Sequence, residues 1–218
     1  MEKQVKSKER VATHGEVFTA EREVKAMCDL VKQETERIES RFLEPACGNG
    51  NFLAEVLTRK LVVVKARYGI SSADFERYAI LAVSSLYGVD ILQDNVEECR
   101  SRLYRLWSDF YRSIFNKQAD EECCKAVCYI LQKNILCGDA LTMTQNDGTP
   151  IVFAEWSLVT GDRIKRRDYA LSELLTGHQE QLDFSMVGWE YDAELDALIP
   201  APIKEYPLTD YRSVQEYG

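Results

Sequence analysis

The run Phe42-Leu43-Glu44-Pro45-Ala46-Cys47-Gly48-Asn49-Gly50-Asn51-Phe52-Leu53 constrains the fold more than any other segment. A strand-length apolar start passes into a turn with two closely spaced glycines, and Phe52, Leu53, Val56 and Leu57 then fall at helical spacing. Gly48 and Gly50 remove side chains where the backbone must turn sharply and approach a ligand. The first turn of the following helix offers N–H groups that have no partner within the helix. Strand, glycine turn and helix in this order predict a cofactor-binding βα unit, although the G-x-G spacing alone is a weak signal.

Similar alternation continues on both sides. Val24, Met27, Cys28 and Val31 predict a helix with Thr19 as its cap and Glu21 and Glu23 in its first turn, leading to a strand near Arg41 to Glu44. Phe75, Tyr78, Ala79, Ala82 and Val83 mark a helix, and Leu86 to Asp90 reads as a buried strand ending in an acid. Val96, Cys99, Leu103, Leu106 and Phe110 give a long helix, Glu121 to Gln132 another. Asn134 to Cys137 is a third strand, closing on Gly138-Asp139-Ala140-Leu141. The expected fold class is α/β, with a parallel sheet wound in right-handed crossovers and a ligand site at the carboxyl edge, near the point where strand order reverses. Residues 1–13 are polar and expected to be mobile, 14–147 form the cofactor-binding domain, and 148–218 are a C-terminal extension expected to dock a partner. Within that extension, Ile151 to Phe153 suggests a strand and Tyr169 to Leu175 a helix. Beyond Leu182 the prolines at 200, 202 and 207 and the tyrosines at 191, 206, 211 and 217 suggest an extended tail, either lying on a surface or disordered.

With Glu-Pro-Ala-Cys before the glycines and Asn-Phe-Leu after them, the Phe42 to Leu53 run closely resembles motif I of the S-adenosylmethionine-dependent amino-methyltransferases, chiefly the N6-adenine DNA methylases of restriction-modification systems. His14-Gly15-Glu16-Val17-Phe18-Thr19 resembles their N-terminal Phe-Thr-Pro element, with Ala20 in place of the proline. The resemblance covers residues 11 to 145. It implies a Rossmann-like class I methyltransferase sheet with flanking helices and S-adenosylmethionine as cofactor. Phe18 and Thr19 would then pack on the methionine moiety. Glu44, Pro45, Ala46, Cys47, Gly48, Gly50 and Phe52 would hold the methionine and ribose end. Asp90 would accept from the ribose hydroxyls with Ile91 against the adenine ring, and Asp139 with Ala140 would meet the adenine amino group. The long Gly48 to Asp90 spacing makes the Phe75 to Val83 helix look like an insertion.

Adenine methylases also carry an Asp/Asn/Ser-Pro-Pro-aromatic motif that grips the flipped target base. Here the five prolines stand at 45, 150, 200, 202 and 207, none adjacent. Phe153-Ala154-Glu155-Trp156, at the expected place, lacks the carbonyl geometry that Pro-Pro fixes, so no catalytic residue is assigned. Three explanations compete: a split methylase whose partner polypeptide brings the fourth strand, the Asn-Pro-Pro-Tyr-type motif and the recognition of double-stranded DNA; a non-catalytic module that binds S-adenosylmethionine or regulates; and a class I methyltransferase acting on RNA or a small molecule. The split is favoured. The expected sheet is incomplete without a partner, because one ending at the first strand would expose a hydrophobic edge.

Charge supports a shared role. With 36 acidic and 27 basic residues the net charge is −9, whereas a chain gripping DNA alone should be basic. Arg163, Lys165, Arg166 and Arg167 are the one basic run, read as a solvated face. Seven scattered cysteines do not form a disulfide framework. Cys123, Cys124 and Cys128 lack metal-ligand spacing and read as small buried apolar residues. No metal site, membrane-length apolar run or secretory signal is found, and the expected compartment is the cytoplasm.

Overall fold

A computed structural model describes residues 6–176, 189–192 and 197–217, so part of the stretch beyond Leu182 lies outside the described residues. The N-terminal third runs α1 (Lys8–His14), α2 (Glu21–Leu30), α3 (Lys32–Thr35), β1 (Phe42–Glu44), α4 (Asn51–Tyr68) and α5 (Ser72–Ser84). The middle continues through β2 (Leu86–Asp90), α6 (Gln93–Phe115), α7 (Glu121–Asn134), β3 (Ile135–Asp139) and β4 (Thr144–Gln145). Then follow β5 (Val152–Thr160), β6 (Arg163–Ala170), α8 (Leu171–Thr176), the β7 (Trp189–Asp192) and β8 (Ala197–Pro200) pair, β9 (Lys204–Glu205), β10 (Thr209–Asp210) and a 3₁₀ helix, Tyr211–Tyr217.

The protein is mixed α/β. β1 and β3 each pair parallel with β2, Phe42 opposite Leu86 and Asp90 opposite Cys137, while β4 joins β3 antiparallel. The sheet is therefore mixed where an all-parallel one was expected, because the chain doubles back in a short hairpin after Asp139. Its order is β1-β2-β3-β4, without the expected reversal, and among the described residues β1 is an open edge.

Period two along β2 divides the core. Leu86 and Ile135 join the larger cluster with Leu53, Val56, Leu57 and Leu61 of α4, Cys99, Leu103 and Trp107 of α6, and Ile130 of α7. Tyr87 and Val89 face the other way, onto Ile151, Phe153 and Leu171. That second face is covered by the β5–β6 hairpin and α8, where a doubly wound fold would place helices. The Tyr87 hydroxyl donates to the Ala154 carbonyl (3.2 Å), and Trp156 Nε1 to Asn134 Oδ1 (3.3 Å).

Several local expectations change. The cap of α2 is Ala20 rather than Thr19, and its buried face is Val24 and Cys28, with Met27 and Val31 exposed. The charged N-terminus forms α1, capped by Ser7 and closed by Gly15 in the left-handed region. Cys123 is buried but Cys128 is exposed. The basic run is not a solvated face throughout. Arg166 is buried, forked onto both oxygens of Asp168 (2.7 and 2.8 Å) and stacked 4.2 Å from the Tyr206 ring, while Lys165 and Arg167 pair with Glu205. From Lys204 to Tyr217 the tail lies on this chain's own surface: β9 and β10 pair with β6, and Tyr211 and Val214 are buried. Among the described residues, no helix is long and apolar enough to cross a membrane.

Candidate functional site

β1, β2 and β3 end side by side, so the loops after them meet at one edge of the sheet. With Gly15 to Thr19 and the start of α4 they enclose a cleft of about 450 Å³. Every residue expected at the site lines it except Gly50. Gly50 shapes the turn from behind: its φ is 83°, and a Cβ there would stand 2.6 Å from Cys99 Sγ. Gly48, at φ 51°, faces the Phe18 ring, which a Cβ would approach to 3.1 Å. The turn is tied down by Cys47 N–H to the Val89 carbonyl (2.9 Å) and Gly50 N–H to the Cys47 carbonyl (2.8 Å). A contact with Cys99, then burial, pushes the Cys47 thiol far up, leaving it inert.

Asp90 organises the centre. Its Oδ2 accepts from Gly48 N–H (2.9 Å), and its Oδ1 from Leu92 N–H (2.9 Å) and Asn95 Nδ2 (3.1 Å). A carboxylate offers about four acceptor positions, so capacity for a ligand hydroxyl remains. Glu44 stands beside it, and burial followed by the charge of Asp90 pushes its carboxyl up to about 8. Among the described residues, Glu44 Oε2 has no hydrogen-bond partner, nor does the buried Asn49 Oδ1, while Asn49 Nδ2 donates to Glu98 (3.2 Å). Asp139 Oδ1 accepts from Leu141 N–H (2.8 Å). That bond tightens a hairpin in which Met143 takes φ 59° and Leu141, 92% exposed, stands at the cleft mouth.

Glu16, Glu44, Asp90 and Asp139 line the cleft, and among the described residues no Lys, Arg or His does. Glu16 is paired with Arg10 outside the lining and burial keeps Glu44 protonated near neutral pH, so Asp90 and Asp139 are the acids a nucleotide phosphate would meet, whereas a cationic or donor-rich ligand finds partners. The α4 N-terminus, the start of 18 residues of helix without a side-chain cap among the described residues, suits an anionic group.

Glu16 and Asn95 line the cleft and bond to each other, and sequence reasoning did not single them out. Glu16 stood within the His14 to Thr19 element; Asn95, a polar residue in the first turn of α6, carried no signal. Phe153, Glu155 and Trp156 line no part of the cleft. They belong to β5, where Phe153 packs on Tyr87 and Trp156 donates to Asn134. Comparison with protein-family models, with curated proteins and with solved structures returns no match.

Proposed function

We propose that this chain is the S-adenosylmethionine-binding subunit of a split DNA adenine-N6 methyltransferase that works in the cytoplasm. The observation that carries the reading is the cleft's composition: a glycine turn at a helix start, four acidic side chains and, among the described residues, no basic side chain in the lining. A glycine turn would also serve a dinucleotide, but the missing cation disfavours a pyrophosphate. S-adenosylmethionine brings no phosphate, carries a sulfonium and an ammonium, and supplies a methyl group already activated for transfer. Asn49 Oδ1, an orphan acceptor, suits an ammonium donor, and a bound cation would favour the ionised form of Glu44 near it. Asp90 retains acceptor capacity for ribose hydroxyls, and the free N–H groups of α4 suit a carboxylate.

Two features support the division of labour. The chain has no adjacent prolines, and β1, where a further strand would add, is an open edge. An acidic subunit also fits a basic partner carrying the Asn-Pro-Pro-Tyr-type motif and the grip on double-stranded DNA. The residues here would hold and orient the donor, and the partner would present the base.

Calorimetry with S-adenosylmethionine should show binding that Asp90→Ala weakens by about tenfold or more. No binding, by the chain alone or with its partner, overturns the cofactor reading. Methyl transfer to adenine-containing DNA should need both polypeptides. Activity from this chain alone overturns the split, and cofactor binding without transfer in any complex favours a non-catalytic module.

A further inference from the structure

We propose that residues 6 to 19 form an ionic strap over the cleft, and that Asn95 couples its closure to occupancy at Asp90; the ligand named in the test rests on the cofactor reading above. Residues 15 to 19 are one wall of the cleft, yet none of the described side chains of α1 is fully buried. What ties α1 down is charge. Arg10 forks onto both oxygens of Glu16 (2.7 Å each) and reaches Asp94 Oδ2 (2.6 Å); Lys6 pairs with Asp94 (3.2 Å) and Glu98 (2.7 Å). Asp94 is half exposed, and ion pairs of that kind are weak and screened by salt. Gly15, at φ 64° with open space around it, is the natural pivot, and the Asn51 side chain holds the far end through the Thr19 carbonyl (3.1 Å).

Asn95 joins this latch to the centre of the site. It is 1% exposed and makes four bonds: its Nδ2 donates to Glu16 Oε1 (2.7 Å) and Asp90 Oδ1 (3.1 Å), and its Oδ1 accepts from Lys6 (2.8 Å) and Arg10 (3.1 Å). A ligand that fixes the Asp90 carboxylate fixes the amide, and the amide presents both its faces to the strap. Two discrete arrangements, latched and released, then share one bistable contact.

Hydrogen exchange over residues 8–19 of the full chain tests this. Raising sodium chloride from low ionic strength to 1 M, or introducing Arg10→Ala, should speed exchange there about five- to tenfold while α4 and α6 stay protected. S-adenosylmethionine, at a concentration that saturates each protein by calorimetry, should slow exchange in the wild type and no longer do so in Asn95→Ala. Unchanged exchange in salt and in Arg10→Ala overturns the strap. Equal protection by S-adenosylmethionine in Asn95→Ala overturns the coupling. If S-adenosylmethionine does not bind the wild type, the cofactor reading fails and the strap is judged on the salt and Arg10→Ala results alone.

Discussion

Glu44 holds its proton up to about pH 8 in the folded chain, against a usual value of 4.5. Between these values the native state carries a proton that the unfolded chain has lost, so its contribution to stability declines as pH rises through that window. Glu44→Gln should remove the decline and leave the protein roughly 2 to 4 kcal/mol more stable than wild type above pH 8, as read from urea unfolding across pH. Lys60 slopes the other way. It is wholly buried, donating to the carbonyls of Ile38 and Ser40 and the hydroxyl of Ser85, and burial pushes it down to about 7. Its contribution therefore rises with pH between about 7 and 10.5. At the glycine turn, Gly50→Ala meets both a left-handed backbone and the Cys99 sulfur, and should cost roughly 2 to 4 kcal/mol. Adding Cys99→Ala should recover only the steric part, a separation that a double-mutant cycle measures.

Among the elements, the closing 3₁₀ helix is held by one buried acid. Glu76 of α5 accepts from Tyr111 (2.9 Å), Tyr211 (3.2 Å) and Arg212 (2.6 Å), so a carboxylate on one helix gathers another helix and the tail. Glu76→Ala should cost roughly 2 to 4 kcal/mol in thermal or urea unfolding and expose the tail to protease, because it strands three donors at once. Elements with a clear period were legible in the sequence: β2 spans Leu86 to Asp90 as expected, and α4 to α7 follow their apolar spacing. Lys60 could not be seen, since it occupies a core position of α4 that only the carbonyls around it make acceptable. The β5–β6 hairpin was hidden for a related reason. Arg166 and Asp168 occupy inward positions of a period-two strand and neutralise each other, so a count of charge read surface where the structure has interior. The cleft was legible where glycines and strand ends marked it; Asn95 and Glu16 gain their place only through folding, from residues 79 positions apart.

For the molecule as a whole, the sheet stops at β1. Phe42 N–H donates to Ser85, so the backbone groups of Leu43 face away from β2, and its side chain is 40% exposed. If a partner strand adds there, Leu43→Lys should abolish the complex in gel filtration while leaving ligand affinity within about twofold, since a charge on an edge strand blocks pairing. Retention of the complex would place the interface elsewhere. The clasp on Glu76 has a further consequence for how the protein is made. Tyr211 and Arg212 bind a residue that precedes them by 135 and 136 positions, and the core they fill lies between helices completed much earlier in synthesis. Until Tyr211 and Arg212 have been made and docked, α5 and α7 present an unfilled apolar surface with an acid at its centre, so a partly synthesised or truncated chain lacking this segment is prone to aggregate.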